Sequence, residues 1–332
     1  MSLQLVSLGC GASQAAQVAA ALGIALTPVE EREFEDGEHK IRPLASVRGG
    51  DVYLLQSLHG EPGLSADEKL LRTLFLAACL RDHGAARLTL VAPYLAYARK
   101  DRRTKPRDPV SLRYLAQLVE AAGIVRVVAL DLHNPAAFEN AFRIEAVSLA
   151  ARGLQVRHLL ATLSGRPLAV VSPDAGGSKR AEALRAELEA ASGSPIAMAI
   201  MEKHRSAGVV RGELFAGEVQ GRTALVVDDL VSTGGTMLRC ARACLERGAA
   251  AVQAVATHGL FTGDAATVVA DPRIARWLLT DSVPPFRLPA EFVSSRITLL
   301  AIAPLLAEAI RRLHEGGSIE ELLADPAGTL EA

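Results

Sequence analysis

The chain has 332 residues, of which 50% are hydrophobic and only 4% are aromatic. This length is too great for one ordinary core and predicts two domains, and the apolar content excludes a disordered chain. The 36 Lys and Arg residues are balanced by 37 Asp and Glu residues, so the chain lacks the overall positive charge that nucleic-acid-binding proteins use.

Neither a signal peptide nor a membrane span is indicated. The N-terminus lacks a basic region followed by an apolar run, and no uninterrupted apolar segment reaches roughly 18 residues. The four cysteines show no CxxC spacing and no paired spacing with histidine, which predicts buried or incidental thiols. We therefore expect a cytoplasmic protein that binds neither membranes nor nucleic acid.

Short apolar runs alternate along the chain with longer segments of helical period, which is typical of βα units on a largely parallel sheet. Ser65 and Glu68 form a capping-box pattern at the start of one helix, and Gly84 indicates its end. Most predicted strands end in a polar or charged residue, at the edge where open α/β sheets bind ligands. These strands are residues 88–95, 126–133, 168–174, 197–202, 223–229 and 252–259.

The two halves of the chain share patterns that predict an internal duplication. Residues 126–133 and 224–230 are both apolar strands with aspartate near the end, and residues 91–102 and 170–181 both run through proline into a basic loop. We expect the boundary near residues 148–155. This gives an N-terminal domain of residues 1–150 and a C-terminal domain of residues 151–332, with the final helix packing back on the N-terminal domain.

An acid pair followed by a glycine loop is the most informative motif. Asp228 and Asp229 follow a predicted strand, and a Thr-Gly-Gly-Thr loop precedes a helix predicted to start near Met237. Backbone N–H groups at a positive helix terminus suit a phosphate, but two carboxylates would repel it unless they faced hydroxyls or a metal. The motif therefore predicts a sugar-phosphate site, in which the carboxylates accept hydrogen bonds from ribose hydroxyls.

The pattern V-D-D-x-x-x-T-G-G-T resembles the ribose-phosphate loop of type I phosphoribosyltransferases and of the ribose-phosphate pyrophosphokinases. The resemblance implies an α/β fold of two tandem, internally duplicated phosphoribosyltransferase-like domains, each a mainly parallel sheet flanked by helices. Serine stands at position 232, where many members have aspartate, so we expect altered affinity rather than lost activity. The implied ligands of ribose 5-phosphate are Asp228, Asp229, Ser232, Thr233, Gly234, Gly235 and Thr236.

Two N-terminal segments are similar to ATP-binding segments of the pyrophosphokinases. Residues 34–43 resemble the nucleotide-base loop, and an aromatic face with nearby carboxylates suits adenine. Residues 93–103 resemble the P-Y-x-x-Y-A-R-Q-D-R segment, with lysine at position 100 in place of glutamine. Without the resemblance, these segments would be a turn and a solvated basic loop. The resemblance implies that ATP is bound by Phe34, Asp36, Glu38, Arg99, Lys100 and Asp101.

Three further segments resemble metal, phosphate and catalytic segments of the family. Residues 131–135 and 172–177 imply that His133 and Asp174 help to hold Mg²⁺. Residues 201–208 occupy the place of a catalytic loop, which implies that Lys203 and Arg205 neutralise the transferring group. His204 replaces the family's middle arginine. By themselves, these residues would be a structural histidine and a surface loop.

The resemblance implies that the ribose 1-hydroxyl attacks the β-phosphorus of MgATP, giving phosphoribosyl pyrophosphate and AMP. It also implies a homodimer or a larger homo-oligomer, such as a tetramer or hexamer. Two alternatives stay open: a phosphoribosyltransferase, which has a similar loop, and a catalytically silent homologue that regulates an active subunit. The departures from the family pattern at Lys100, His204 and Ser232 keep the second alternative open.

Overall fold

The computed structural model describes residues 1–206 and 209–324, except for the side chains of residues 203–213. The chain divides into two compact units. The first unit contains residues 1–150 together with residues 302–324, and the second contains residues 151–301. Within the described ranges, none of the helices has both the length and the apolar content needed to cross a membrane.

Strands and helices alternate along most of the chain. The strands are β1 (Leu3–Val6), β2 (Leu26–Thr27), β3 (Val29–Glu33), β4 (His39–Pro43), β5 (Asp51–Leu55), β6 (Arg87–Ala92), β7 (Arg126–Leu130), β8 (Glu145–Leu149), β9 (Leu168–Ser172), β10 (Ala197–Ser206), β11 (Val209–Gly217), β12 (Thr223–Val227), β13 (Leu230–Val231), β14 (Ala251–Val255), β15 (His258–Gly259), β16 (Arg276–Thr280) and β17 (Ile297–Leu300). The helices are α1 (Ala12–Leu22), α2 (Ala66–Asp82), α3 (Ser111–Ala121), α4 (Pro135–Ala141), α5 (Arg152–Leu163), α6 (Ser178–Ser192), α7 (Gly235–Glu246), α8 (Ala265–Ala270), α9 (Ala290–Arg296), α10 (Ala303–Glu315) and α11 (Ile319–Ala324).

The first unit is built on a six-stranded parallel sheet in the order β2-β1-β5-β6-β7-β8. A separate antiparallel hairpin is formed by β3 and β4. Every residue of β5 and of β7 is buried, as expected for parallel strands covered by helices on both faces.

A buried carboxylate ties α10 to the sheet of the first unit. Asp51, which is completely buried at the start of β5, accepts hydrogen bonds from Arg87 Nε (2.7 Å) and from His314 Nδ1 on α10 (2.7 Å). Burial acts to raise the pKa of Asp51, but the hydrogen bonds from Arg87 and His314 outweigh it and hold the pKa below its ordinary value. The C-terminal helix α10 is thereby joined to the N-terminal sheet.

The second unit has a seven-stranded sheet in the order β11-β10-β9-β12-β14-β16-β17, in which only the β10–β11 pair is antiparallel. Without β11, this order repeats that of the first unit: the second strand lies outside the first, and the other four follow on the opposite side. The predicted α/β class, with mainly parallel sheets, is confirmed, and the repeated strand order agrees with an internal duplication.

Local sequence signals determine where several helices and strands begin or end. The Ser65 hydroxyl accepts from the Glu68 backbone N–H (3.2 Å), and the Ser65 N–H donates to the Glu68 carboxylate (2.8 Å), so the predicted capping box is present. The strand predicted at residues 88–95 ends at Ala92, directly before Pro93, which has no N–H to donate. The helix predicted to start near Met237 begins two residues earlier, at Gly235.

Candidate functional site

The acid pair lies where the chain leaves the sheet of the second unit. Strand β12 ends at Val227, and the Asp229 backbone N–H donates to the Asp228 carboxylate (2.9 Å). The Asp229 side chain is only 4% exposed, whereas that of Asp228 is 25% exposed. Consecutive residues within a strand point to opposite faces. The turn after β12 allows both carboxylates to approach the same cation.

That cation is Arg180, in the first turn of α6. Its Nη1 lies 3.2 Å from Asp228 Oδ1 and 3.5 Å from Asp229 Oδ1. Strands β9 and β12 are neighbours in the sheet, so the helix that follows β9 begins close to the end of β12. Arg180 was not among the site residues predicted from the sequence. Its only sequence signal was the basic character of residues 170–181.

The environment of Asp228 changes its acidity. Burial and the neighbouring Asp229 raise the pKa of Asp228 to about 7, although the positive charge of Arg180 acts in the opposite direction. Hydrogen-bond donors stabilise the ionised form of such a carboxylate. The vicinal hydroxyls of a sugar are donors of this kind.

Asp228→Asn is expected to stabilise the protein at alkaline pH. Because the folded state binds a proton more tightly than the unfolded state, the stability of the wild type should fall as pH rises from about 4 to about 7. The full difference in pKa corresponds to about 4 kcal/mol, and because the side chain is one-quarter exposed we expect about 2 kcal/mol. Urea unfolding of both proteins at several pH values measures the difference.

The control for that prediction is Asp271→Asn. A hydrogen bond from Arg273 lowers the pKa of Asp271, so the stabilisation from this carboxylate is present above its ordinary pKa and is lost in acid. The two variants should therefore change relative stability with pH in opposite directions. A gain from Asp228→Asn that is equal at all pH values would contradict the prediction.

The glycine loop lies at the N-terminus of α7. Gly234 has a φ of +77°, and a Cβ at this position would lie 2.8 Å from Val268 Cγ1 and 3.2 Å from Trp277 Cη2. As the N-cap residue, Gly234 brings no side chain to the first N–H groups of α7. These N–H groups are donors at the positive end of a helix, where a phosphate is stabilised.

The residues that flank Gly234 are held by polar contacts. The Ser232 hydroxyl lies 3.0 Å from the Thr262 hydroxyl, and the Thr262 N–H donates to the Ser232 carbonyl (2.9 Å). Thr236 Oγ1 accepts from Arg239 Nη2 (3.1 Å), whereas Thr233 is exposed. Ser232 therefore holds the loop against the segment that follows β15. The Ser232 side chain thus makes a structural contact within the loop.

A second loop of this unit follows β9 and carries Asp174. The Asp174 carboxylate is exposed and accepts from the Gly177 N–H (3.0 Å), while the Ser172 hydroxyl donates to the Asp174 carbonyl (2.6 Å). Among the described residues, no group of three or more His, Cys, Asp or Glu side chains is arranged to hold a metal. An exposed carboxylate fits Mg²⁺, which usually takes one or two carboxylates and shares substrate phosphates.

In the first unit, the predicted base loop is the turn between β3 and β4. The Phe34 N–H donates to the Glu38 carbonyl (2.7 Å), and the Glu38 N–H donates to the Asp36 carboxylate (3.1 Å). The Phe34 ring is 38% exposed, and the Arg32 guanidinium carbon lies 5.1 Å from its centroid. The hairpin therefore presents an aromatic ring and two exposed carboxylates, the groups expected to bind adenine.

The segment of residues 99–108 is closed by its own hydrogen bonds. Lys100 Nζ lies 2.5 Å from Asp108 Oδ2, which also accepts from the Thr104 and Lys105 N–H groups (3.0 Å each). The hydrogen bond from Lys100, followed by those from Thr104, holds the pKa of Asp108 below its ordinary value. The charge that Lys100 adds to the segment is thus paired inside the loop.

Asparagine 134 connects that segment to the predicted metal segment of the first unit. Asn134 Nδ2 donates to Asp101 Oδ2 (2.7 Å), and the Asn134 side chain also caps α4 by accepting from the Ala137 N–H (3.2 Å). The adjacent His133 is exposed, as is Arg99. Asp101 and His133 are therefore brought to the same edge of this unit. Asn134 was not among the site residues predicted from the sequence.

The predicted catalytic cations lie on β10. The pairing of β10 with β9 ends at Ile200 and Ser172, whereas its pairing with β11 continues to Ser206, with a register shift between His204 and Arg205. The side chains of Lys203 and Arg205 lie outside the described part of the chain. Their backbone belongs to an extension of the β10–β11 ribbon beyond the central sheet.

Comparison with known proteins shows full-length similarity. A family model described as the N-terminal domain of ribose phosphate pyrophosphokinase matches residues 3–123, and a phosphoribosyl synthetase-associated domain matches residues 197–324. Ribose-phosphate pyrophosphokinases of Caldanaerobacter subterraneus subsp. tengcongensis and Bacillus subtilis are 35% and 34% identical, each over 97% of this chain and 98% of the relative. The crystal structure of phosphoribosylpyrophosphate synthetase from Mycobacterium smegmatis has a TM-score of 0.85 and 31% identity, and the match covers 96% of this chain and 100% of that chain.

Proposed function

The chain belongs to the ribose-phosphate pyrophosphokinase family, and we propose that the acid pair and glycine loop of its second unit bind ribose 5-phosphate. The reaction is ATP-dependent pyrophosphoryl transfer, which gives phosphoribosyl pyrophosphate and AMP. A phosphoribosyltransferase and a silent regulatory subunit are not favoured, because the full-length relatives are pyrophosphokinases. The proposed site rests on one observation. Arg180 contacts both Asp228 and Asp229, and these acids precede the glycine loop at the N-terminus of α7.

In the second unit, the roles of the acid pair and of the glycine loop follow from the chemistry of their groups. Asp228 and Asp229 accept hydrogen bonds from ribose hydroxyls and so orient the sugar. The loop of Ser232, Thr233, Gly234, Gly235 and Thr236 donates hydrogen bonds to the 5-phosphate. Holding the attacking hydroxyl in a fixed orientation lowers the entropic part of the barrier.

The first unit supplies the proposed nucleotide site. The exposed ring of Phe34 stacks on adenine, with the carboxylates of Asp36 and Glu38 as acceptors for its amine. Arg99 and Asp101 bind ATP directly, whereas Lys100 acts on ATP through its contact with Asp108 and the conformation of the loop. Residues 1–150 then carry the base site, and residues 151–301 carry the ribose phosphate site.

We propose that Asp174 in the second unit and His133 in the first unit are each protein ligands for Mg²⁺, considered separately within their own units. The exposure of both side chains supports this assignment. When bound, Mg²⁺ supplies charge neutralisation at the substrate phosphates. The second unit presents a carboxylate, fixed by its hydrogen bond from Gly177, and the first unit presents an imidazole.

Lys203→Ala is expected to lower kcat about 100-fold and to change KM for either substrate only a few-fold. The reason is that a cation opposite the transferring group interacts most strongly with the charge that develops in the transition state. Initial rates with each substrate varied in turn measure both constants. Glu202→Ala, which alters the exposed preceding residue, serves as the control. A rise in KM at constant kcat would contradict a transition-state role for Lys203.

The reaction itself is tested by a ³¹P NMR time course with ribose 5-phosphate and MgATP. Formation of AMP together with a pyrophosphate linked to C1 of the ribose is the expected result. Formation of ADP would show ordinary phosphoryl transfer and would contradict the mechanism. If ATP stays intact, addition of a nucleobase with phosphoribosyl pyrophosphate separates a transferase from a silent subunit.

The intact protein is proposed to be a cytoplasmic homo-oligomer, at least a dimer. Support comes from apolar side chains about half exposed on two helices of the first unit: Leu71 and Phe75 on α2, and Tyr114 and Leu118 on α3. Such pairs, four residues apart, form apolar stripes that a second copy would cover. Light scattering of the purified protein is expected to give a dimer, tetramer or hexamer mass, and a monomer would contradict the proposal.

A further inference from the structure

Arg180 has an unusual position for a surface helix residue. It lies in the first turn of α6, yet its guanidinium points back to the end of β12 and contacts both acids of the pair, at 3.2 Å and 3.5 Å. Its side chain is 25% exposed. Arg180 therefore brings a positive charge to both carboxylates.

The start of α6 is packed so that Arg180 stays in this place. A Cβ on Gly177 would lie 2.9 Å from Ser172 Oγ and 3.9 Å from Arg180 Nη1. Gly177 also donates its N–H to Asp174. The Asp174 loop and the acid pair are thus connected through the first turn of a single helix, with Arg180 at the point of connection.

Two adjacent carboxylates with restricted access to water resist being ionised together. A guanidinium stays protonated at any pH at which the enzyme works, so it is a permanent counter-charge for such a pair. It also occupies acceptor positions on the carboxylates. When both carboxylates are ionised, incoming hydroxyls meet acceptor oxygens on both side chains. A protonated carboxyl group would present a donor instead.

We infer that Arg180 is a positioning residue which orients Asp228 and Asp229 for ribose hydroxyls and favours the ionised form of Asp228, and thereby sets the lower pH limit for binding ribose 5-phosphate. This inference rests on the proposed function of the acid pair. It assigns to Arg180 a role in substrate affinity, with no direct contact to the reacting atoms.

Asp228 is affected by Asp229 and by Arg180. On the neighbouring strand β15, the His258 backbone N–H donates to the Asp229 carbonyl (3.0 Å), while the imidazole lies 2.8 Å from the Ser282 hydroxyl. The imidazole of His258 contacts Ser282, and Arg180 is a cation whose removal should change the ionisation of Asp228.

The test compares Arg180→Met, Arg180→Lys and the control Arg185→Met. Arg185 lies on the same helix and pairs with Glu182 and Glu189, so its replacement alters α6 without touching the acid pair. Calorimetry measures the Kd for ribose 5-phosphate from acid to alkaline pH. The ratio of each variant's Kd to that of the wild type cancels the titration of the substrate's own phosphate.

For Arg180→Met, we expect binding to be weakened about 30-fold in mildly acid solution and by less than about 3-fold in alkaline solution, where the acids ionise without help. Arg180→Lys keeps the charge and should restore most of the acid-side affinity, which also provides the test if the methionine variant does not fold. Arg185→Met should match the wild type. An equal loss at every pH, or no rescue by lysine, would overturn the inference.

A second readout separates this inference from the proposed function. Titration of ¹³C-labelled aspartate carboxylates without any substrate should show Asp228 ionising at higher pH in Arg180→Met than in the wild type. If that shift is present but Asp228→Asn binds ribose 5-phosphate as well as the wild type does, the electrostatic role of Arg180 stands and the ribose assignment fails. If the shift is absent, the inference about Arg180 fails.

Discussion

Asp229→Asn is expected to lower kcat/KM for ribose 5-phosphate about 1,000-fold while KM for ATP changes only a few-fold. The Asp229 side chain is 4% exposed and lies 3.5 Å from Arg180, so it acts in a largely desolvated environment. Charge-assisted interactions of this kind contribute about 1.5–3 kcal/mol each, and the substitution weakens a hydrogen bond to a ribose hydroxyl and the ion pair with Arg180. Their sum of about 4 kcal/mol corresponds to the stated factor.

The measurement is a set of initial rates in which each substrate is varied at saturation of the other. Asn has nearly the same volume as Asp, so the change removes charge without opening a cavity. Asp271→Asn is the control, because it removes an aspartate that pairs with Arg273 elsewhere in the same unit. Equal losses for both substrates, or a loss that follows a fall in thermal stability, would show that Asp229 acts through the fold instead of through the sugar.

The sequence predicted the parts of this site that are continuous in the chain. An acid pair, three spacer residues and a Thr-Gly-Gly-Thr loop are local, so a turn and a helix start are enough to bring their donors and acceptors together. Arg180 is 48 residues away from Asp228 and reaches it only because β9 and β12 pair in the sheet. A pairing of this kind depends on strand order, and a single sequence does not encode it in any local pattern.

The contacts of Lys100 are a second feature that could not be predicted from the sequence. Its sequence position next to Arg99 and Asp101 indicated an extra charge beside the nucleotide. In the structure its ammonium pairs with Asp108, which accepts three further hydrogen bonds from Thr104 and Lys105. The partner is only eight residues away, but the loop conformation that joins them includes a positive φ at Arg107 (68°), which composition does not indicate. The direction of side chains in this irregular loop could not be predicted from the sequence.

In the fold, too, locally encoded elements were predicted and elements that depend on a distant partner were not. Strands buried on both faces, such as β9 and β12, are uninterrupted apolar runs and were predicted. The β3–β4 hairpin was not, because β3 is Val-Glu-Glu-Arg-Glu and has only one apolar residue, which does not form a recognisable apolar pattern. Strand β10 continues four residues past its predicted end, since β11 provides an antiparallel partner that the local pattern did not reveal.

Gly234→Ala is expected to lower the free energy of unfolding by about 3 kcal/mol and to abolish measurable binding of ribose 5-phosphate. A left-handed backbone costs an alanine about 1–2 kcal/mol, and overpacking of a rigid site adds about 1–3 kcal/mol. Both apply at φ +77°, where the new methyl group would lie 2.8 Å from Val268 Cγ1 and 3.2 Å from Trp277 Cη2. Urea unfolding and calorimetric titration with ribose 5-phosphate measure the two effects.

Gly235→Ala is the matched control, one residue along the same loop. Its added Cβ would lie 3.7 Å from Thr233 Oγ1 and 3.8 Å from Arg239 Nη1, which is ordinary contact, and Gly235 is the first residue of α7. Alanine favours a helix more than glycine does, so the stability should stay within about 0.5 kcal/mol of the wild type or rise slightly.

Trp277 is completely buried under the loop and cannot move aside for the larger residue at position 234. The backbone must move instead, and it carries the N–H groups of residues 235 and 236 away from the phosphate. If Gly234→Ala proved as stable as Gly235→Ala, the loop would not be held against Trp277, and the proposed phosphate site would lose its structural basis.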